Sequence, residues 1–287
     1  TFGFSRYLRL APAMFVASVL LYLSSFLIPE RPGGIVNLQD FLPSITFMQP
    51  GLLTKILGID IRAMDGSFWS LYVEVKFYFL SAIFFFVLKD KELKGLLTLY
   101  IFYLLLVVFI KFGIEHSYVI LTKKFLAHLG VSYYGWFLLG IYSYKYSHSL
   151  SVRHIYSVVL ITLTTVSAQS MMHGGGIDIL IASAVTALLF ITPLFNKNLK
   201  SILSSKVLIF FGFISYPLYL IHQNLVTGLA IKLHNSGLEL PSFVYPLPFI
   251  VLVILVAFLM AQLEPSIKTL LLKIIPNKIF NMSLTRK

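Results

Sequence analysis

The stretch Phe68-Trp69-Ser70-Leu71-Tyr72-Val73-Glu74-Val75-Lys76-Phe77-Tyr78, continuing apolar to Leu88, decides the fold. Its length matches the about 20 residues that a helix needs to cross a bilayer. Its two charges, Glu74 and Lys76, are the exception. An ionisable group inside a spanning helix is expensive and marks a candidate functional site. Ser67, Ser70, Glu74, Tyr78 and Ser81 follow i, i+3 and i+4 spacing, so they share one face. A carboxylate on such a polar stripe can act as an acid or base, or orient a histidine. The plainer reading is an ion pair between helices. Lys76, two residues on, points to another face and is not the partner of Glu74.

Working outward, the rest of the chain has the same character. Of its 287 residues, 58% are hydrophobic and 12% charged, with a mean hydropathy of +0.87. Soluble domains carry about 25% charged residues, so a soluble fold is excluded. About eight runs reach spanning length: Leu10–Ile28, Phe68–Leu88, Leu93–Phe112, Phe125–Tyr144, Ile155–Met172, Ile177–Phe195, Val207–Lys232 and Phe243–Leu263. They are continuous, without the alternation of a barrel strand. The expected fold is all-α, a polytopic membrane helix bundle forming one domain over 1–287. Cysteine is absent, which excludes disulfides, thiolate metal sites and a cysteine nucleophile. The net charge of +12 lies in short clusters between apolar runs, a pattern of membrane topology and not of nucleic-acid binding. With the N-terminus in the cytoplasm, most Lys and Arg fall in inside segments, so both termini are expected there. Leu10–Ile28 lacks a cleavage site and reads as a retained span. Thr1 leads straight into it, which reads as the tail of a longer protein.

Three further features stand out. In Gly212-Phe213-Ile214-Ser215-Tyr216-Pro217-Leu218-Tyr219-Leu220-Ile221-His222, the residues Ser215, Tyr219 and His222 fall at i, i+4 and i+7, one face. Pro217 removes a backbone donor and predicts a kink that frees the Phe213 carbonyl. This face reads equally as a pocket wall or as an interhelical hydrogen-bond cluster. Arg6 and Arg9, at i and i+3, form a fork suited to phosphate, or simply anchor the helix. The segment from Pro29 to Ser67 is much longer than the other connections and is expected outside, as a lid or binding surface or as a plain connector. His173 and Asp178 are spaced like the His–Asp pair of glycerolipid acyltransferases, but in an outside turn far from a cytoplasmic donor. The other histidines show no metal-ligand spacing, and no metal is expected.

The three motifs together resemble the acyltransferase-3 family of bacterial membrane O-acyltransferases. Phe68–Tyr78 is similar to its Phe-Trp-Ser-Leu-x-x-Glu-x-x-Phe-Tyr signature. Ser215–His222 is similar to Ser-Tyr-x-x-Tyr-Leu-x-His. Arg6-Tyr7-Leu8-Arg9-Leu10-Ala11-Pro12 resembles the Arg-x-x-Arg-(Ile/Leu)-x-Pro that opens the family's third helix. Weaker echoes are Phe137-Leu138-Leu139-Gly140 and Glu264-Pro265. The resemblance implies about ten helices in the complete fold, and acyl-CoA, most often acetyl-CoA, as donor substrate with no bound cofactor. It implies a hydroxyl of a cell-surface glycan or lipid-linked sugar as acceptor, in the bacterial inner membrane. Arg6 and Arg9 would bind the donor, Glu74 and His222 would serve catalysis, and Trp69, Ser70, Tyr78, Ser215 and Tyr219 would line the pocket. Tyr219, His222 or Lys76 would donate hydrogen bonds to the tetrahedral intermediate. The family carries an Arg and a His, ten residues apart, on its first helix, and the His is its favoured catalytic residue. No Arg here is followed by His at that spacing. The expectation is therefore that the first two helices lie outside this sequence or that the motif is lost, leaving the chain alone inactive. A transporter or flippase, or an inactive relative, is the competing reading.

Overall fold

The computed structural model describes residues 2–149, 151–172 and 176–274. Within them every regular element is helical. The helices are α1 (Phe2–Leu27), α2 (Leu42–Thr46), α3 (Pro50–Leu57), α4 (Trp69–Leu88), α5 (Glu92–Lys111), α6 (Ser117–His128), α7 (Tyr134–Ser149), α8 (Val152–Met172), α9 (Ile177–Phe195), α10 (Lys197–Leu203), α11 (Lys206–His234) and α12 (Leu247–Ile274). Among the described residues, seven helices are long and apolar enough to cross a membrane. The chain is an integral membrane helix bundle, as the apolar runs require, because helices satisfy their own backbone hydrogen bonds in lipid.

One expected span differs. Phe125–Tyr144 is not a single helix. α6 stops at His128, Gly130 turns with φ +82, a short 3-10 turn follows over Val131–Tyr133, and α7 begins at Tyr134. Glycine takes this left-handed conformation without the clash a Cβ would make. The Lys76 ammonium donates to the carbonyl of His128 at 2.6 Å. A cation at a helix C-terminus meets both an unpaired carbonyl and the negative end of the helix dipole. Lys76 is therefore held at the break. The start of α1 also differs: it begins at Phe2, so Arg6 and Arg9 already sit on the helix and Pro12 lies inside it.

The chain forms two compact units, Thr1–Val75 with Val207–Lys287, and Lys76–Lys206. In the second, α7 packs on α8 and α8 on α9, with α5 against α6 and α7. Its core is aromatic. Phe77 stacks on Phe137 at 4.2 Å and meets the Tyr134 ring edge-on at 5.1 Å. A Cβ at Gly135 would run into the Thr165 hydroxyl and the Tyr100 hydroxyl, so this glycine lets α7 approach α8 and α5 closely.

In the first unit, α1 packs on α12. The connection from Pro29 to Ser67 is more than a plain connector. It folds back along α1. Phe41 meets Tyr22 at 5.3 Å, Phe47 meets Tyr7 edge-on at 5.6 Å, and the Tyr7 hydroxyl donates to the Ile45 carbonyl at 3.2 Å. Tyr22 and Tyr7 lie about 22 Å apart along the helix axis. The α2–α3 hairpin thus descends alongside a spanning helix, and its outward face carries Ile45, Leu52 and Ile56. Non-helical backbone at that depth is tolerated where protein covers it. Its return leg is tied by Thr54, whose hydroxyl accepts from Ile61 N–H at 3.1 Å.

Candidate functional site

The polar residues of the first unit gather along one seam, where α11 runs beside the start of α4. At its Leu27 end is a buried clamp. Asp65 accepts from the Ser67 N–H at 2.8 Å and, through its other oxygen, from the Asn224 N–H at 3.1 Å. The Asn224 side chain donates to the Met64 carbonyl at 2.9 Å and accepts from the Gly33 N–H at 3.1 Å. Arg31 donates to the carbonyls of Leu21 at 2.6 Å, Gly34 at 2.8 Å and Met64 at 3.3 Å. All three side chains are at most 2% exposed. Burial draws the Arg31 guanidinium below its usual range, and the Asp65 carboxylate opposes that shift. None of the three stands in a recognisable sequence motif. The only signal is a polar residue, Asn224, in an apolar helix.

One to two turns further along, Tyr219 joins the helices. Its hydroxyl donates to the Ser67 carbonyl at 2.5 Å. That uses its one proton, so the Ser70 hydroxyl, 2.8 Å away, is the donor to the Tyr219 oxygen. Ser70 and Tyr219, both expected at the pocket, are therefore brought together. His222 is exposed, and its Nδ1 lies 2.9 Å from the Tyr219 carbonyl. A carbonyl only accepts, so Nδ1 carries the proton. In the neutral ring the lone pair is then on Nε2. Ser215 spends its hydroxyl on the Gly212 carbonyl of its own helix, at 2.7 Å. α11 runs unbroken through Pro217.

Next to this seam is a cavity of about 830 Å³ between α11 and α12. Ser215, Tyr219 and His222 line it, as do Gln223 and Thr227, two polar residues that the face spacing did not single out. The Phe2 end of the seam holds a second polar group. The Tyr216 hydroxyl donates to the Leu10 carbonyl at 2.9 Å. Tyr216 also lies within electrostatic reach of Glu74, Glu264 and Arg9, and Glu264 in turn of Arg9 and Lys268. Glu74 is half-buried and belongs to this group. Glu264 was legible only as part of a motif echo. Arg6 is half-buried and Arg9 exposed. Trp69 is 49% exposed at the start of α4. Tyr78 falls in the second unit, packed against its aromatic core beside Phe77. His173 lies outside the described residues.

An integral membrane helix bundle with an imidazole on a cavity wall and acidic and basic groups within its helices defines a membrane protein with an intramembrane polar site. The family follows from comparison. The model of the acyltransferase-3 family, described as an acyltransferase domain, matches residues 1–262, and the chain belongs to that family. Membership implies acyltransferase activity. Neither a curated protein nor a solved structure matches.

Proposed function

We propose that this protein is a membrane O-acyltransferase that moves an acyl group, acetyl in the first instance, from acyl-CoA to a hydroxyl of a cell-surface carbohydrate. The proposal places it in the bacterial inner membrane with both termini in the cytoplasm. The observation that carries it is the His222 ring: Nδ1–H is committed to the Tyr219 carbonyl, which leaves Nε2 as a base on the wall of the cavity. The acceptor oxygen attacks the thioester carbonyl carbon. A C–O bond forms and the C–S bond breaks. The hydroxyl proton passes to His222 Nε2 and then to the departing CoA thiolate. Arg6 and Arg9 take the CoA phosphates. Glu74 and Glu264 balance the positive charge around Tyr216 and Arg9.

The test is mass spectrometry of surface glycans after deletion of the gene and its restoration as wild type, Glu74→Gln or His222→Ala. We expect the acyl increment to vanish on deletion and to return with wild type. His222→Ala should lower transfer by about 10²–10⁴, the usual contribution of a positioned acid–base group. An increment restored in full by His222→Ala would remove that residue from the chemistry. A glycan unchanged in every strain would overturn the carbohydrate reading.

A further inference from the structure

The cavity beside His222 has two chemically different halves. On α11 its lining runs from Phe211 to Thr227, about 24 Å along the helix axis, most of the roughly 30 Å hydrocarbon thickness of a bilayer. Among the described residues, the half near Phe211 has Leu218 on α11, and α12 contributes only apolar side chains to the lining, Ile250, Val253 and Ile254. Its one polar group, Ser215, is already spent on its own helix. Beyond that end Phe210 of α11 meets Phe258 of α12 at 5.8 Å. The other half of the α11 lining carries Tyr219, His222, Gln223, Val226 and Thr227, four of these five being polar. Among the described residues, no Lys, Arg, Asp or Glu lines either half, in a protein of net charge +12.

This pattern selects an occupant. A polyanion such as the CoA nucleotide finds no counter-charge here, and burying an unpaired charge is prohibitive. A molecule that is neutral, apolar along most of its length and hydroxylated at one end matches both halves: chain against Phe211 and Ile254, hydroxyls at His222 and Gln223. We infer that the α11–α12 cavity binds a long-chain alcohol or glycoside, with its hydrocarbon chain in the Phe211 half and its hydroxyl-bearing head at His222. The acceptor is thereby presented to the base by its lipid tail. This last step rests on the transferase reading; the binding itself does not.

The probe is hexadecyl β-glucoside with a diazirine in mid-chain, added to the protein in phosphatidylcholine vesicles. Photolabelling is expected on the cavity segments of α11 and α12, displaced by unlabelled hexadecyl glucoside and not by methyl glucoside. Filling the cavity with Ile254→Trp, or with Ile250→Trp at a side chain already 43% exposed, should lower displaceable labelling by about tenfold, equivalent to about 1.4 kcal/mol of binding. Leu255→Trp, on a side chain 56% exposed and outside the cavity lining, should leave it unchanged. Each variant is compared at equal helical content and elution volume. Labelling spread over all lipid-facing helices without displacement, or undiminished in both cavity variants, overturns the inference. So does a change of oligomeric state in Ile254→Trp and Ile250→Trp with labelling intact, which would assign the cavity to a second copy. Displaceable labelling without acetyl transfer from acetyl-CoA to hexadecyl glucoside by the product of the full-length gene upholds the site and counts against the transferase reading. Transfer without cavity labelling does the reverse.

Discussion

Replacing Asp65 by Ala should unfold the protein far more readily than its position in a connecting segment would imply. Asp65 is 1% exposed and bonds two N–H groups, those of Ser67 and Asn224. Alanine leaves both donors buried and unpaired, at about 1–3 kcal/mol each. It also removes the nearest charge that opposes the desolvation of Arg31. The expected loss is about 2–6 kcal/mol, which in a chain of this size lowers the unfolding midpoint by roughly 5–15 °C. Asp65→Asn should recover part of this. One side-chain oxygen still accepts, but the amide NH2 then faces an N–H, and two donors do not pair. The assay is thermal unfolding in detergent, followed by helical circular dichroism. Asp60→Ala, at an exposed side chain, is the control and should stay within about 0.5 kcal/mol of wild type. An Asp65→Ala midpoint equal to that of the control would show that the clamp does not hold α11 to the start of α4, and the reasoning would fail.

Three other expectations can be checked together. Lys76→Met removes the cation at the end of α6 and should cost about 1 kcal/mol, read in the same unfolding assay; no change would mean the break at Gly130 needs no such partner. Gly135→Ala drives a methyl into Thr165 and Tyr100 and should destabilise by about 1–3 kcal/mol, with equal stability arguing against close packing of α7 on α8. Because the chain contains no cysteine, single-cysteine variants give a clean depth probe. Gln49→Cys at the hairpin tip should resist a membrane-impermeant maleimide applied at the Leu27 side, whereas Asp60→Cys should react; equal reactivity would refute the descent of the hairpin along α1.

The spans were legible because hydropathy is local and additive: a run such as Ile177–Phe195 meets the length requirement whatever surrounds it. Face periodicity placed Ser70 and Glu74 on one stripe and Tyr219 and His222 on another, and the structure joins the stripes through Ser70 and Tyr219. The break at Gly130 was not legible, since a glycine in an apolar run does not announce a positive φ. The descending hairpin was hidden because its apolar stretches are short and carry Pro43 and Pro50, which read as loop.

What the sequence alone determined is the solvent, the helical class and the family: lipid forces backbone self-satisfaction, and the three motifs are strings of neighbouring residues. What only the tertiary structure decided is pairing. Asp65 and Asn224 stand 159 residues apart, and no local pattern links a carboxylate to a particular backbone N–H at that distance. The Nε2 lone pair of His222 was likewise decided in three dimensions. The choice of tautomer follows from where the Tyr219 carbonyl lies relative to the ring, and the base role we propose for it rests on the cavity that α12 builds beside it.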